Sequence, residues 1–184
     1  MISDYVKGKK QLDYPTGIQQ GIRLHRYIDE FTDNHAATRE AKEIFRPAYR
    51  LYSGAIVDVV YDHFLAADET EFTENTLHSF SQQVYQTLHH HEAHFPERFN
   101  RMFPYMKEQN WLFHYRSRWG TGKSLGGLVR RACYMPDSEM AFRLFEENYQ
   151  LLAGYYRHFW ADVKPFAEQR LAELKNTENS SPGL

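Results

Sequence analysis

At 184 residues the chain is the size of one domain and long enough to bury a substantial core. With 42% hydrophobic and 16% aromatic residues, spread along its whole length, it cannot be a disordered protein, and a net charge of −2 gives no global attraction to nucleic acid or an anionic membrane. The single cysteine, Cys133, excludes an internal disulfide and suits a reducing compartment; between Ala132 and Tyr134 it reads as a buried structural thiol. No apolar run reaches the roughly 18 residues of a transmembrane helix, and no charged-then-apolar signal opens the chain, so a cytoplasmic protein is expected.

Met1 to Tyr14 is polar and basic, with Lys7, Lys9 and Lys10 around Gly8. Pro15 then predicts the start of a first long helix, with Asp13 or Thr16 available to its cap, ending near Asn34. A short second helix is expected over Ala36 to Phe45, stopped by Pro47. An apolar helix follows from about Ser53 to Ala67, then an acidic exposed turn from Asp68 to Glu74. Leu77, Phe80, Val84 and Leu88 give Thr76 to His90 an amphipathic stripe, and Pro96 and Pro104 bracket a short helical piece. Gln109 to Arg118 is aromatic; Gly120 and Gly122 should break the chain before a helix from about Ser124 to Tyr134. Pro136-Asp137-Ser138 opens a helical pattern to about Leu174, bent at Gly154 or Pro165. No strand alternation persists. The expected architecture is all-α, one helical bundle over 1–175 with a disordered tail over 176–184.

Two stretches set ionisable groups into apolar helices. In the first, Ile18, Ile22, Leu24, Ile28 and Phe31 recur at helical period, with His25 and Asp29 one turn apart on the flank and Asp33 a turn further. In the second, Ala55 to Leu65 is apolar or aromatic except for Asp58, Asp62 and His63. Isolated carboxylates are costly to bury unless they are paired, hydrogen-bonded or bound to a metal. One reading is two facing helices presenting His25, Asp29, Asp62 and His63 to a single divalent cation, with Asp33 and Asp58 nearby. The other is a buried salt-bridge network with Arg23, Arg26 and Arg39 as partners.

Three further motifs carry weaker signals. Gly120-Thr121-Gly122-Lys123-Ser124 ends like a phosphate-binding loop, but Ser117 stands where that loop needs glycine and no strand precedes it. His89-His90-His91-Glu92-Ala93-His94 places its histidines around a helix rather than on one side, as an exposed helix end would. Between Gln109 and Pro136 there is no acid, while Arg116, Arg118, Lys123, Arg130 and Arg131 accumulate. That segment is either a dock for an anionic partner or a solvated face paired with Glu139, Glu146 and Glu147.

The ordered motifs Asp4-Tyr5-Val6-Lys7-Gly8, then Gly21-Ile22-x-x-His25-Arg26-x-Ile28-Asp29-x-x-Thr32-Asp33, then Asp58-x-x-x-Asp62-His63-Phe64-Leu65 resemble those of the acyl carrier protein phosphodiesterases. More weakly, the likeness runs through Trp111-Leu112 and the arginine-bearing segment to Tyr155 to Trp160. The family's opening helix, which carries its own histidine, is expected to be missing before Asp4. The resemblance implies an irregular version of the all-helical His-Asp phosphohydrolase fold. It also implies hydrolysis of the phosphodiester joining 4′-phosphopantetheine to a serine of acyl carrier protein, with a divalent cation. On that basis His25, Asp29, Asp62, His63 and Asp4 are candidate metal ligands. Asp33 and Asp58 would orient ligand histidines or activate water, and Arg26 would hold phosphate. Mixed nitrogen and oxygen ligation favours Mn²⁺, or Mg²⁺, over a thiolate zinc site. Arg116, Arg118, Arg130 and Arg131 would dock the acidic carrier. Competing functions are a His-Asp nucleotide phosphohydrolase and a metal-free helical protein that binds an acidic partner.

Overall fold

The computed structural model describes residues 2–132 and 134–179; Cys133 and the last five residues of the expected tail lie outside them. Every regular element in the described residues is helical. Two 3₁₀ turns, Ser3–Tyr5 and Gly8–Asp13, precede α1, Thr16–Asn34, which follows Pro15 directly; neither Asp13 nor Thr16 caps it. His35 caps α2, Ala36–Tyr49, its Nδ1 accepting from the Ala37 N–H at 3.2 Å.

Pro47 does not stop α2. Only Ala48 and Tyr49 remain beyond it, and that end is pinned by Tyr49, fully buried, whose hydroxyl donates to the Asp137 carbonyl at 2.6 Å. The helix ends instead at Arg50, whose φ of 49° leaves the helical region. The apolar α3, Ser53–Ala67, has the bounds read from the sequence. The acidic turn after it is tethered rather than free. Tyr156 donates to Asp68 at 3.1 Å, and Trp160 and Lys164 each donate to Glu71 at 2.8 Å.

Thr73 and Thr76 cap α4, Glu74–His90, reciprocally. Beyond it, α5, Glu97–Glu108, runs through Pro104 because Phe99, Phe103 and Met106 bury one continuous stripe across that position. After α6, Trp111–His114, α7 spans Arg118–Arg131 and takes in both glycines expected to break it. Gly120 is required for packing: a Cβ there would overlap the His114 carbonyl. The phosphate-loop likeness thus falls inside a helix. The last two helices, α8, Ser138–Glu147, and α9, Tyr149–Asn179, part at Asn148 and not at Gly154 or Pro165. The Asn148 side chain bonds back to the Leu144 carbonyl at 2.9 Å, the local competition by which asparagine ends helices. Residues 176–179 of the expected tail continue α9.

The main core is built from α2, α3, α8 and α9 around Phe45, Ile56, Val60, Phe145, Leu152 and Tyr156. A second cluster, Tyr85, Phe99, Phe103 and Met106, receives Ile2 and Tyr5 from the opening segment, and the Tyr5 and Phe99 rings lie 6.1 Å apart. The chain before α1 is therefore packed against the body. Phe31 joins α1 to α9 by stacking on Phe166 at 4.5 Å. These contacts bring Asp4, the flank of α1 and one stripe of α3 to a shared cleft.

Candidate active site

His25 stands between two carboxylates. Its Nδ1 lies 2.8 Å from Asp29 Oδ2 and its Nε2 3.5 Å from Asp4 Oδ1. The Nδ1 atom is buried and meets Asp29 as an ion pair without an aligned hydrogen bond. Asp4 comes from the first 3₁₀ turn, while His25 and Asp29 are stacked on consecutive turns of α1.

From α3 come Asp58 and Asp62, on the stripe that begins at Gly54. Both carboxylates reach solvent, but they do so from a recess crowded by the rest of the protein. Lost hydration pushes the Asp58 pKa up to about 6; Lys42 opposes the shift, and Asp33, Asp29 and Asp4 add to it. Asp62 is pushed up to about 7, again chiefly by burial and then by Asp58. Five aspartates thus share one electrostatic neighbourhood, an arrangement that favours a cation. Lys42 supplies part of it, donating to Asp33 Oδ1 at 2.7 Å. Among the described residues the arginines expected as alternative partners, Arg23, Arg26 and Arg39, form no ion pair with these aspartates, and Arg26 bonds Gln11 and Val6 instead; the lysine was missed because it belongs to α2, outside both acidic stretches.

His63 is a correction. Consecutive residues on a helix point about 100° apart, so His63 turns into the core while Asp62 faces the cleft. Its Nδ1 bonds the Tyr115 carbonyl at 2.8 Å and its Nε2 the Tyr149 hydroxyl at 2.9 Å, which occupies both ring nitrogens. The ring is 1% exposed and packs edge-on against Phe64, Phe145 and Tyr149. Burial lowers its pKa, so it stays neutral and structural.

Arg26 is a second correction. Its guanidinium donates to Gln11 Oε1 at 2.7 Å and to the Val6 carbonyl at 3.1 Å, so it anchors the segment bearing Asp4 rather than waiting for phosphate. Of the four arginines expected to face a partner, Arg116 pairs with Glu74 and Arg118 with Glu146, both at 2.6 Å, and Arg118 also lies over the Tyr149 ring. Arg130 and Arg131 are exposed, fold back over Gly126 and Gly127, and form no ion pair among the described residues. The histidine-rich end of α4 is an exposed helix terminus, with His89 bonded to Glu92 at 2.8 Å.

Among the described residues no three His, Cys, Asp or Glu side chains converge at metal-ligand spacing, so the expected five-residue ligand set does not close on one point. The inner pair stands at the spacing of two adjacent donors, which is also that of a His–carboxylate ion pair. Adjacent donors of an octahedral Mg²⁺-like site with bonds of 2.0–2.1 Å stand about 3 Å apart, and His25 Nδ1 and Asp29 Oδ2 stand 2.8 Å apart. Asp4, on the other ring nitrogen, is placed to orient the imidazole. Asp58 lies near enough to Asp33, Asp29 and Asp4 to feel their charge, and Asp62 to feel that of Asp58.

A family model for acyl carrier protein phosphodiesterase matches residues 1–163. The chain belongs to this family. Among its relatives, a protein of Yersinia pestis named acyl carrier protein phosphodiesterase is 30% identical over 171 residues, covering 92% of this chain and 89% of that one. A namesake from Klebsiella pneumoniae (strain 342) is 29% identical with the same coverage. One from Photorhabdus laumondii is 25% identical over 92% of this chain and 86% of its own. No solved structure matches. The family match spans the Asp4 turn, α1 and α3, so every group of the acidic cleft falls within it. No helix of the described residues is long and apolar enough to cross a membrane.

Proposed function

We propose that this acyl carrier protein phosphodiesterase homologue hydrolyses holo-acyl carrier protein to the apo form and 4′-phosphopantetheine, using a divalent cation held by His25 and Asp29 with oxygen donors from Asp58 or Asp62. Mn²⁺ is the first choice and Mg²⁺ the second, because the donors are hard oxygens with one imidazole. The observation that carries this reading is His25 set between Asp29 and Asp4, with Asp33, Asp29 and Asp4 all acting on Asp58 in one acidic neighbourhood.

In the reaction, water oxygen bonds to phosphorus, the bond from phosphorus to the serine oxygen breaks, and the serine takes up a proton as the water loses one. A bound divalent ion supplies acidification of water and neutralises charge on the phosphoryl oxygens. The chain's residues do the rest. Asp4 faces the far ring nitrogen of His25 at 3.5 Å; Asp58, with its pKa about 6, is suited to accept the water proton near neutral pH. Asp33 is held on its α1 turn by Lys42. Arg130 and Arg131, exposed and without an ion pair among the described residues, suit an acidic protein substrate better than Arg116 and Arg118 do.

The test is metal analysis of untagged protein together with turnover of holo-acyl carrier protein and of nucleotides, with Mn²⁺ and with chelator. Release of 4′-phosphopantetheine only with Mn²⁺ is the expected result. Turnover of nucleotides alone would make the protein a nucleotide phosphohydrolase, and absence of both metal and turnover would make it a binding protein.

A further inference from the structure

Trp119 is 62% exposed, although it is the largest apolar side chain of α7. It does not stand alone. Trp119, Lys123, Gly126 and Arg130 follow one another at i, i+4, i+7 and i+11, which sets them in one stripe of the helix, opposite the buried Thr121 and Leu125. The Lys123 ammonium lies 5.6 Å from the centre of the Trp119 ring, and the His114 ring meets that ring edge to face at 5.5 Å, so the indole is braced by its own chain while open to water. At the other end of the stripe the Arg130 guanidinium lies against Gly126 and Gly127, 3.8 and 3.7 Å from where their Cβ atoms would stand, which leaves a low surface between ring and guanidinium. The sequence has no acid between Gln109 and Pro136, and neither Lys123 nor Arg130 forms an ion pair among the described residues. Single exposed apolar residues are ordinary, but a tryptophan in line with such cations combines residue types that dominate binding energy at interfaces. The helix also lies beside the reaction cleft. It packs against α3, which carries Asp58 and Asp62, and Arg131 at its end acts on the same Tyr115 phenol as Asp62: burial pushes that phenol up, Asp62 adds to the shift and Arg131 opposes it.

We propose that the stripe of Trp119, Lys123 and Arg130 is the seat of the acyl carrier protein, with the indole buried against an apolar side chain of the carrier and the two cations meeting carboxylates on either side of it. This rests on the carrier-hydrolysing reading above and adds to it an apolar anchor, which Arg130 and Arg131 alone do not provide. Charge selects the occupant. An acidic partner is attracted by both cations, whereas a second copy of this chain in a two-fold contact would set the stripe against itself, cation on cation. Anchor and charge also leave different signatures: exposed cations steer encounter and fade with salt, while a buried ring holds the complex together at any salt concentration.

The experiment measures by calorimetry the affinity of apo-acyl carrier protein for the full chain in chelator, at low and at high salt, for the parent, Trp119→Ala and Lys123→Gln. The apo carrier lacks the phosphodiester, so neither metal nor turnover enters the result. Trp119→Ala is expected to weaken binding about 30-fold at both salt concentrations, the size of an interface hot spot. Lys123→Gln is expected to weaken it several-fold at low salt, with the difference fading at high salt. Parent-like affinity in folded Trp119→Ala, or a loss that disappears at high salt, overturns the anchor and leaves the carrier reading intact. A parent that binds neither apo nor holo carrier overturns that reading and the inference together. A parent that sediments as a dimer, with Trp119→Ala a monomer, makes the stripe a contact between copies and overturns the proposal. A thermal melt identifies any chain that has not folded; for a misfolded Trp119→Ala, Trp119→Gln takes its place and is judged by the same affinities.

Discussion

The guanidinium of Arg26 donates to the Val6 carbonyl at 3.1 Å, which ties the turn carrying Asp4 to the helix carrying His25. With its second bond, to Gln11, Arg26 holds both 3₁₀ turns of the opening segment against α1. Arg26→Met is expected to cost about 1 to 2 kcal/mol, the range for charged hydrogen bonds reduced by partial exposure. Trypsin should then cut faster after Lys7, Lys9 or Lys10, while the helices further on stay resistant. Unchanged cleavage at those lysines would show that Tyr5 and Ile2 hold the segment unaided.

His25 and His63 should separate cleanly. His63→Ala removes a ring bonded at both nitrogens inside the core and is expected to cost on the order of 3 kcal/mol, read as a lowered denaturation midpoint. The fraction that remains folded should still bind Mn²⁺. His25→Ala should abolish Mn²⁺ binding with a far smaller loss of stability, since that ring is 30% exposed. Loss of metal from folded His63→Ala protein would return His63 to the ligand set.

The pH dependence follows from Asp58 and Asp62. Both have folded-state pKa values above the ordinary 3.8, about 6 and about 7, so between those limits the folded chain binds more protons than the unfolded one. In chelator their contribution to stability is complete below pH about 4 and is lost as pH rises through 6 and 7. The melting temperature of Asp58→Asn/Asp62→Asn should therefore gain on that of the parent across this window. Added Mn²⁺ should raise the parent's melting temperature most at the alkaline end, where protons no longer compete for the carboxylates. A parent and double variant with parallel pH profiles in chelator would mean that the recess is better hydrated than its crowding implies.

Arginines of the acid-free segment divide into two kinds. Arg118→Glu breaks the pair with Glu146 and sets two acids beside Tyr149, so it should lower stability whether or not a carrier is present. Arg130→Glu/Arg131→Glu should leave stability nearly unchanged and weaken association with holo-acyl carrier protein at low salt. The difference should fade at high salt, since screening reduces exposed charges to a range of about 10 Å at 0.1 M. Turnover of a small phosphodiester should survive that double change; equal losses on both substrates would move these arginines into the reaction site.

Much of this was legible in the chain. The unbroken apolar run from Ser53 to Ala67 has no competing signal, so α3 could be bounded correctly, and helical spacing alone joined His25 to Asp29. The fate of His63 was also there to read. The angular argument that scatters His89 to His91 around α4 equally divides Asp62 from His63. Lys42 was not legible, because its place depends on where α2 crosses α3 and on an absent side chain at Gly54, a tertiary fact that no local pattern carries. Pro47 and Pro104 misled for a related reason: a buried side chain beyond each proline, Tyr49 and Met106, outweighs the backbone bond it removes.

Gln20 on α1 donates to the Leu174 carbonyl on α9 across 154 residues of chain, and Phe31 stacks on Phe166 in the same seam. The helix that bears His25, Asp29 and Asp33 is thus sealed by a segment made long after it. During synthesis at about 5–20 residues per second, α1 emerges early and must wait several seconds with its apolar stripe uncovered. The cleft is consequently among the last parts of the molecule to become competent, and a nascent chain that has not yet extruded α9 carries the chemistry's residues without the surface that arrays them.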